Sequence, residues 1–106
     1  MRVVWTRTAI RDLVRVRRRI EHDNPIAARE VARRILDAVN KISRHPEMGR
    51  VGRLGGTRDL IVTGTPYLVP YRVHADKIHL LRVLHGRQNW PRSSGRRTPR
   101  SQRGSG

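Results

Sequence analysis

The sequence predicts an α+β fold of order β-α-α-β-β-β, a helical hairpin packed on a small, curved and mainly antiparallel sheet. Three observations predict it. Two apolar stripes with helical spacing follow one another with almost no loop between them. A short β-branched and aromatic run precedes them. Three strand-like segments separated by turn signals follow. A chain of 106 residues is one domain's worth and offers limited core volume, so a two-layer packing is expected.

The first strand is Arg2–Trp5. Thr6 then serves as N-cap for a helix from about Arg7 to Glu21 or His22. Ala9, Ile10, Leu13, Val14 or Val16, and Ile20 form its apolar stripe, while Arg11, Arg15, Arg18 and Arg19 lie mostly off it and read as a solvated face. Asp23-Asn24-Pro25 starts a second helix, with a capping side chain ahead of a proline whose missing N–H costs nothing at the first helical position. Ala28, Val31, Ala32, Ile35, Val39 and Ile42 carry its stripe, and His45-Pro46 ends it.

From Pro46 to Gly56 the chain becomes a glycine-rich cationic connection containing Arg50 and Arg53. Its N–H groups suit an anion, but the GxxxxGKS/T pattern is absent and no helix is expected to follow, which excludes a nucleotide cradle. Three strands then run over Arg58–Thr63, Tyr67–His74 and Lys77–His85, broken at Gly64-Thr65-Pro66 and Ala75-Asp76. Pro70 cannot donate to a ladder, so its strand needs an edge position, a bulge or one replaced bond. Laying the hairpin across one face of the sheet leaves the other face for a ligand.

Alternation orients the side chains. Tyr71 and Val73 share one face, Arg72 and His74 the other. In the last strand Ile78, Leu80, Arg82 and Leu84 share a face predicted as core, which turns His79 and His85 to the open face. Residues 1–91 make the folded domain. Residues 92–106 read as a disordered arginine-rich tail, with five arginines and no acid.

Charge narrows the partners. Lysine and arginine number 24 against 8 acidic residues, a net charge of +16. Residues 1–90 alone carry 19 basic and 8 acidic groups, a net +11 that favours a polyanion or an acidic protein. Without cysteine there is neither a disulfide nor a thiolate metal site. His22, His45, His74, His79 and His85 lack a compact ligand pattern, so no metal or other cofactor is expected. No membrane-length apolar stretch or signal peptide is present, and the expected location is the cytoplasm.

An ordered series of motifs resembles the RelE/ParE superfamily of toxins from type II toxin–antitoxin modules. It runs through Trp5-Thr6 with Ala9 and Asp12-Leu13, Asp23-Asn24-Pro25 with Ala27-Ala28, and Gly49-Arg50 to Gly56-Thr57-Arg58-Asp59-Leu60. It continues with Tyr67-Leu68-Val69-Pro70-Tyr71-Arg72-Val73 and Leu81-Arg82-Val83-Leu84-His85-Gly86 before Trp90-Pro91. The resemblance implies a toxin neutralised by a cognate antitoxin, acidic given the charge of this chain and laid across the helical hairpin and the Arg50–Arg58 region. It implies one of two targets. ParE-like members inhibit DNA gyrase without hydrolysis, whereas RelE-like members cut mRNA in the ribosome.

The candidate residues serve either target. Arg50, Arg53, Arg58, Arg72, Arg82 and Arg87 are candidates for binding phosphate or the target, although Asp12, Glu30, Asp37 and Asp59 offer them structural partners. Tyr67 and Tyr71 are candidates for base stacking. His85, beside the C-terminal segment, is the catalytic candidate if the chain is an endoribonuclease using metal-free acid–base chemistry. Two departures favour the ParE-like reading. Gly86-Arg87-Gln88-Asn89-Trp90 lacks the terminal tyrosine of ribonucleolytic relatives, and Leu68-Val69-Pro70 stands where such a relative presents an arginine.

Overall fold

The computed structural model describes residues 1–91. The predicted tail over 92–106 lies outside the described residues. Elements run β1 (Arg2–Trp5), α1 (Arg7–Asp23), α2 (Pro25–Arg44), β2 (Arg50–Val51), β3 (Arg58–Ile61), β4 (Tyr67–His74), β5 (Lys77–Leu80) and β6 (Leu84–His85).

Capping explains the two helices. Thr6 Oγ1 accepts from the Ala9 N–H at 3.2 Å and donates to the Leu80 carbonyl at 2.7 Å, so one hydroxyl starts α1 and ties it to β5. Asn24 ends α1 through its own N–H, bonded to Ile20 O, and starts α2 through Oδ1, which accepts from the Ala27 N–H at 3.0 Å. With one residue serving both ends, the hairpin has no room for a loop.

The sheet order is β1-β5-β4-β3-β2, with β6 pairing β4. β1 runs parallel to β5; the other pairings are antiparallel. The helices cover one face, and Ala9, Ile35, Val39 and Ile42 meet Leu60, Val62, Val69, Tyr71, Ile78, Leu80 and Val83 in the main core.

Two strands differ from expectation. β2 forms inside the predicted glycine-rich loop, with Arg50 opposite Asp59 and Val51 opposite Arg58. The second difference matters more for function. The predicted strand Lys77–His85 is divided, because Leu80 pairs with Tyr71 while Leu84 pairs with Leu68. Three residues, 81–83, thus face two residues of β4, which is a β-bulge. It lies opposite Pro70, whose carbonyl accepts from the Leu81 N–H at 2.8 Å. This is how β4 holds a proline although it is an inner strand.

The extra residue inverts the alternation beyond it. Ile78 and Leu80 face the helices as predicted, but after the bulge Val83 joins the main core and Leu84 turns away from it. The expectation that Leu84 shares the Ile78 face is therefore corrected, and so is the placement of His85. His79 stays opposite Arg72 on the far face, whereas His85 pairs with Tyr67 on the helix side.

The face predicted to be open is only partly so. Asp59, Leu68, Pro70 and Leu84 are buried there, while Arg72 and His74 at one end and Arg50 and Ile61 on β2 and β3 are exposed, with His79 half-buried.

Candidate functional site

The inverted register brings β6 against α1. Between them lies a cleft of about 430 Å³, lined from α1 by Asp12, Arg15, Val16 and Arg19, and from the sheet side by Tyr67, Val83, His85, Arg87 and Gln88. Helical spacing puts 12, 15, 16 and 19 on one side of α1.

Asp12 organises the floor. Its carboxylate accepts from Arg82 Nε at 2.7 Å, Arg82 Nη2 at 3.2 Å and the Val83 N–H at 2.9 Å, and it is only 5% exposed. Arg82, a predicted target contact, is thereby a structural partner that holds the bulge against α1. Its guanidinium also lies 5.6 Å from the centre of the Trp90 ring.

His85 is half-buried, with its ring edge-on to Tyr67 at a centroid distance of 5.6 Å. Its Nδ1 accepts from the Arg87 N–H at 3.2 Å. Because Nδ1 accepts there, the ring N–H is assigned to Nε2, which presents a donor. The turn after β6 is closed by Gln88, whose Oε1 accepts from the His85 N–H and whose own N–H donates to His85 O. Arg87 is exposed at the rim, and Tyr67, 7% exposed, lends the cleft a wall rather than a free ring face.

The remaining candidates do not converge there. Tyr71 is fully buried; its hydroxyl donates to Pro46 O at 2.6 Å and accepts from the Gly49 N–H at 2.9 Å. Burial pushes that hydroxyl's pKa up. A base cannot stack on a ring so enclosed, and its role is to pin the connection after α2. Arg58 assists from the same face, donating through Nη1 to Glu47 O and Gly49 O. Arg53 donates to Gln88 O and Trp90 O, tying the glycine-rich loop to the segment after β6. Arg50 is exposed on β2 and Arg72 on the far face of β4.

Two cleft residues were missed as functional candidates. Arg15 and Arg19 read as solvated helix positions, and only the bulge places β6 opposite them. Among the described residues no cluster of three or more histidines, cysteines or carboxylates suits a metal ion. No helix there is long and apolar enough to cross a membrane.

Residues 3–90 match the ParE toxin family, the toxin of the type II toxin–antitoxin system parDE. The chain belongs to the ParE toxin family. This ParE-family chain is 41% identical over 90 residues to the Y4kP protein of Sinorhizobium fredii (strain NBRC 101917 / NGR234), covering 85% of this chain and 93% of that one. Toxin RelE2 of Caulobacter vibrioides is 35% identical over 83 residues, 78% of this chain and 92% of its own. A solved chain from the chromosomal ParDE system of P. aeruginosa superposes with a TM-score of 0.73 at 26% identity, covering 80% of this chain and 95% of that chain. The ParE-family fold is thus a RelE/ParE-type α+β fold, and the chain is the toxin component of a type II toxin–antitoxin system.

Proposed function

We propose that this toxin inhibits DNA gyrase without catalysing hydrolysis. The hydrogen bonding of the cleft's polar groups carries the reading. RNA cleavage through a 2′-hydroxyl needs one group to take a proton and another to give one. Here His85 presents Nε2–H, its other nitrogen engaged by the Arg87 N–H, and Asp12 is held in three hydrogen bonds by Arg82 and the Val83 N–H. The other polar lining groups are guanidiniums, the Gln88 amide and the nearly buried Tyr67 phenol. On β4, Leu68, Val69 and Pro70 are all buried in the segment where the resemblance puts an arginine in ribonucleolytic relatives. Both observations favour holding a target over cutting one.

Toxin induction followed by parallel mapping of mRNA 5′ ends and gyrase-linked DNA breaks tests this. The expected result is gyrase-linked breaks, and blocked supercoiling with purified protein, without new 5′ ends at codons. Codon-positioned cleavage that disappears in His85→Ala would establish the ribosome-dependent endoribonuclease instead.

The cognate antitoxin is proposed to be acidic and to cover α1. Ile10 and Val14, four residues apart, are about half exposed and stand among Arg11, Arg15 and Arg18. An amphipathic helix with acidic flanks would bury the former and pair the latter. Coexpression with the acidic product of the adjacent gene should restore growth; arrest that persists with that partner bound would contradict it.

A further inference from the structure

The α1–β6 cleft has a strong excess of hydrogen-bond donors over free acceptors. Arg15, Arg19 and Arg87 bring three exposed guanidiniums to its walls. The lining's one carboxylate, Asp12, is turned to Arg82 and the Val83 N–H, and its separation from Arg15 is 3.9 Å. Arg19 and Arg87 make no ion pair among the described residues. His85 adds its Nε2–H, a direction fixed by the Nδ1 bond to Arg87. Val16, Val83 and the Tyr67 ring form apolar walls between these donors. A volume of about 430 Å³ lies within the range of small-ligand sites.

We infer that this cleft binds a phosphate group, carried either by a nucleotide or by a nucleic-acid backbone. Guanidinium forks match pairs of phosphate oxygens, and a ligand with several acceptor oxygens uses donors that converge from two elements. The apolar walls accommodate the attached sugar or base edge. The site is separate from the far face of the sheet, where Arg72 stands. It draws on the donor state of His85 used above and holds whether or not gyrase is the target.

Isothermal titration of the full-length protein tests the inference with four probes: inorganic phosphate, a nucleoside 5′-monophosphate, the unphosphorylated nucleoside and a short DNA duplex. The expected result is binding of the phosphorylated probes and none of the nucleoside. Arg19→Ala and Arg87→Ala should each weaken binding about tenfold, the loss of one charge-assisted contact. Arg44→Ala, exposed on α2 and outside the cleft, should change it less than about twofold. Arg19→Lys, which keeps the charge but loses the fork, should fall between, with circular dichroism confirming the fold. Binding of the monophosphate assigns a nucleotide. Binding of the duplex alone, with the same Arg19→Ala loss, assigns a backbone phosphate.

Equal losses from Arg19→Ala and Arg44→Ala would reduce the effect to net charge and overturn the inference. Equal binding of nucleoside and monophosphate, or an acidic peptide outcompeting every phosphate probe at this cleft, would do the same. Supercoiling assays on the same variants keep the two readings apart. A chain that binds phosphate but leaves gyrase active removes the gyrase proposal alone.

Discussion

Asp12 and Tyr71 each tie distant segments together through a buried polar group. Asp12 joins α1 to the bulge through Arg82 and Val83, so removing it leaves a partly buried guanidinium and a buried N–H without acceptors. Asp12→Ala should destabilise the fold by about 2–4 kcal/mol in urea unfolding, with Arg82's partial exposure keeping the loss below that of a fully buried pair. Tyr71→Phe deletes one donor and one acceptor while preserving volume. It should cost about 1–3 kcal/mol, because Gly49 N–H and Pro46 O lose their partner. The sequence named both residues, but Tyr71 as a base-stacking candidate rather than as the buried pin it is. Asp12 was legible as a salt-bridge partner, as were Glu30 and Asp37. Asp59, expected to act alike, instead lies buried with Oδ1 unpaired.

At the scale of elements, the connection after α2 and the surface of α2 carry the sharpest tests. A Cβ on Gly49 would sit 2.5 Å from Tyr71 Oη, so Gly49→Ala must displace the ring that pins this connection. The expected effect is about 1–3 kcal/mol of overpacking, read as a lower Tm. On α2, Glu30 bonds both Arg33 and Arg34, and Arg34 reaches Thr63 O beyond β3. Those bonds to Arg33 and Arg34 lower the Glu30 pKa below its ordinary 4.5. The stabilisation is present above that value and is lost as pH falls through the lower, folded one. Glu30→Gln should therefore narrow the Tm difference between neutral and acidic solution slightly, as befits an exposed network. The helices were legible from stripes and caps because those are local. The bulge was legible only as one of three options raised by Pro70, and its place in the following strand was not, since alternation within one strand contains no information about which residues its neighbour leaves unpaired.

For the molecule as a whole, charge and an unpartnered apolar strip govern behaviour. A domain at +11 repels itself, so an acidic antitoxin should raise its Tm markedly. Saturation a thousandfold above Kd corresponds to about 4 kcal/mol. Replacing Ile10 and Val14 together by aspartate should remove most of that shift in differential scanning while leaving the unbound fold intact, since both side chains are about half exposed. An unchanged shift would place the antitoxin elsewhere.

The sequence by itself determined the α+β class, the nearly loopless joint between the helices, the cationic character and the family, because periodicity, capping and ordered motifs are carried along the chain. Tertiary structure alone decided where His85 points and what surrounds it. One extra residue opposite Pro70 turned the last strand over and set it beside Arg15 and Arg19. Non-local pairing, with its choice of register, is what local sequence leaves open.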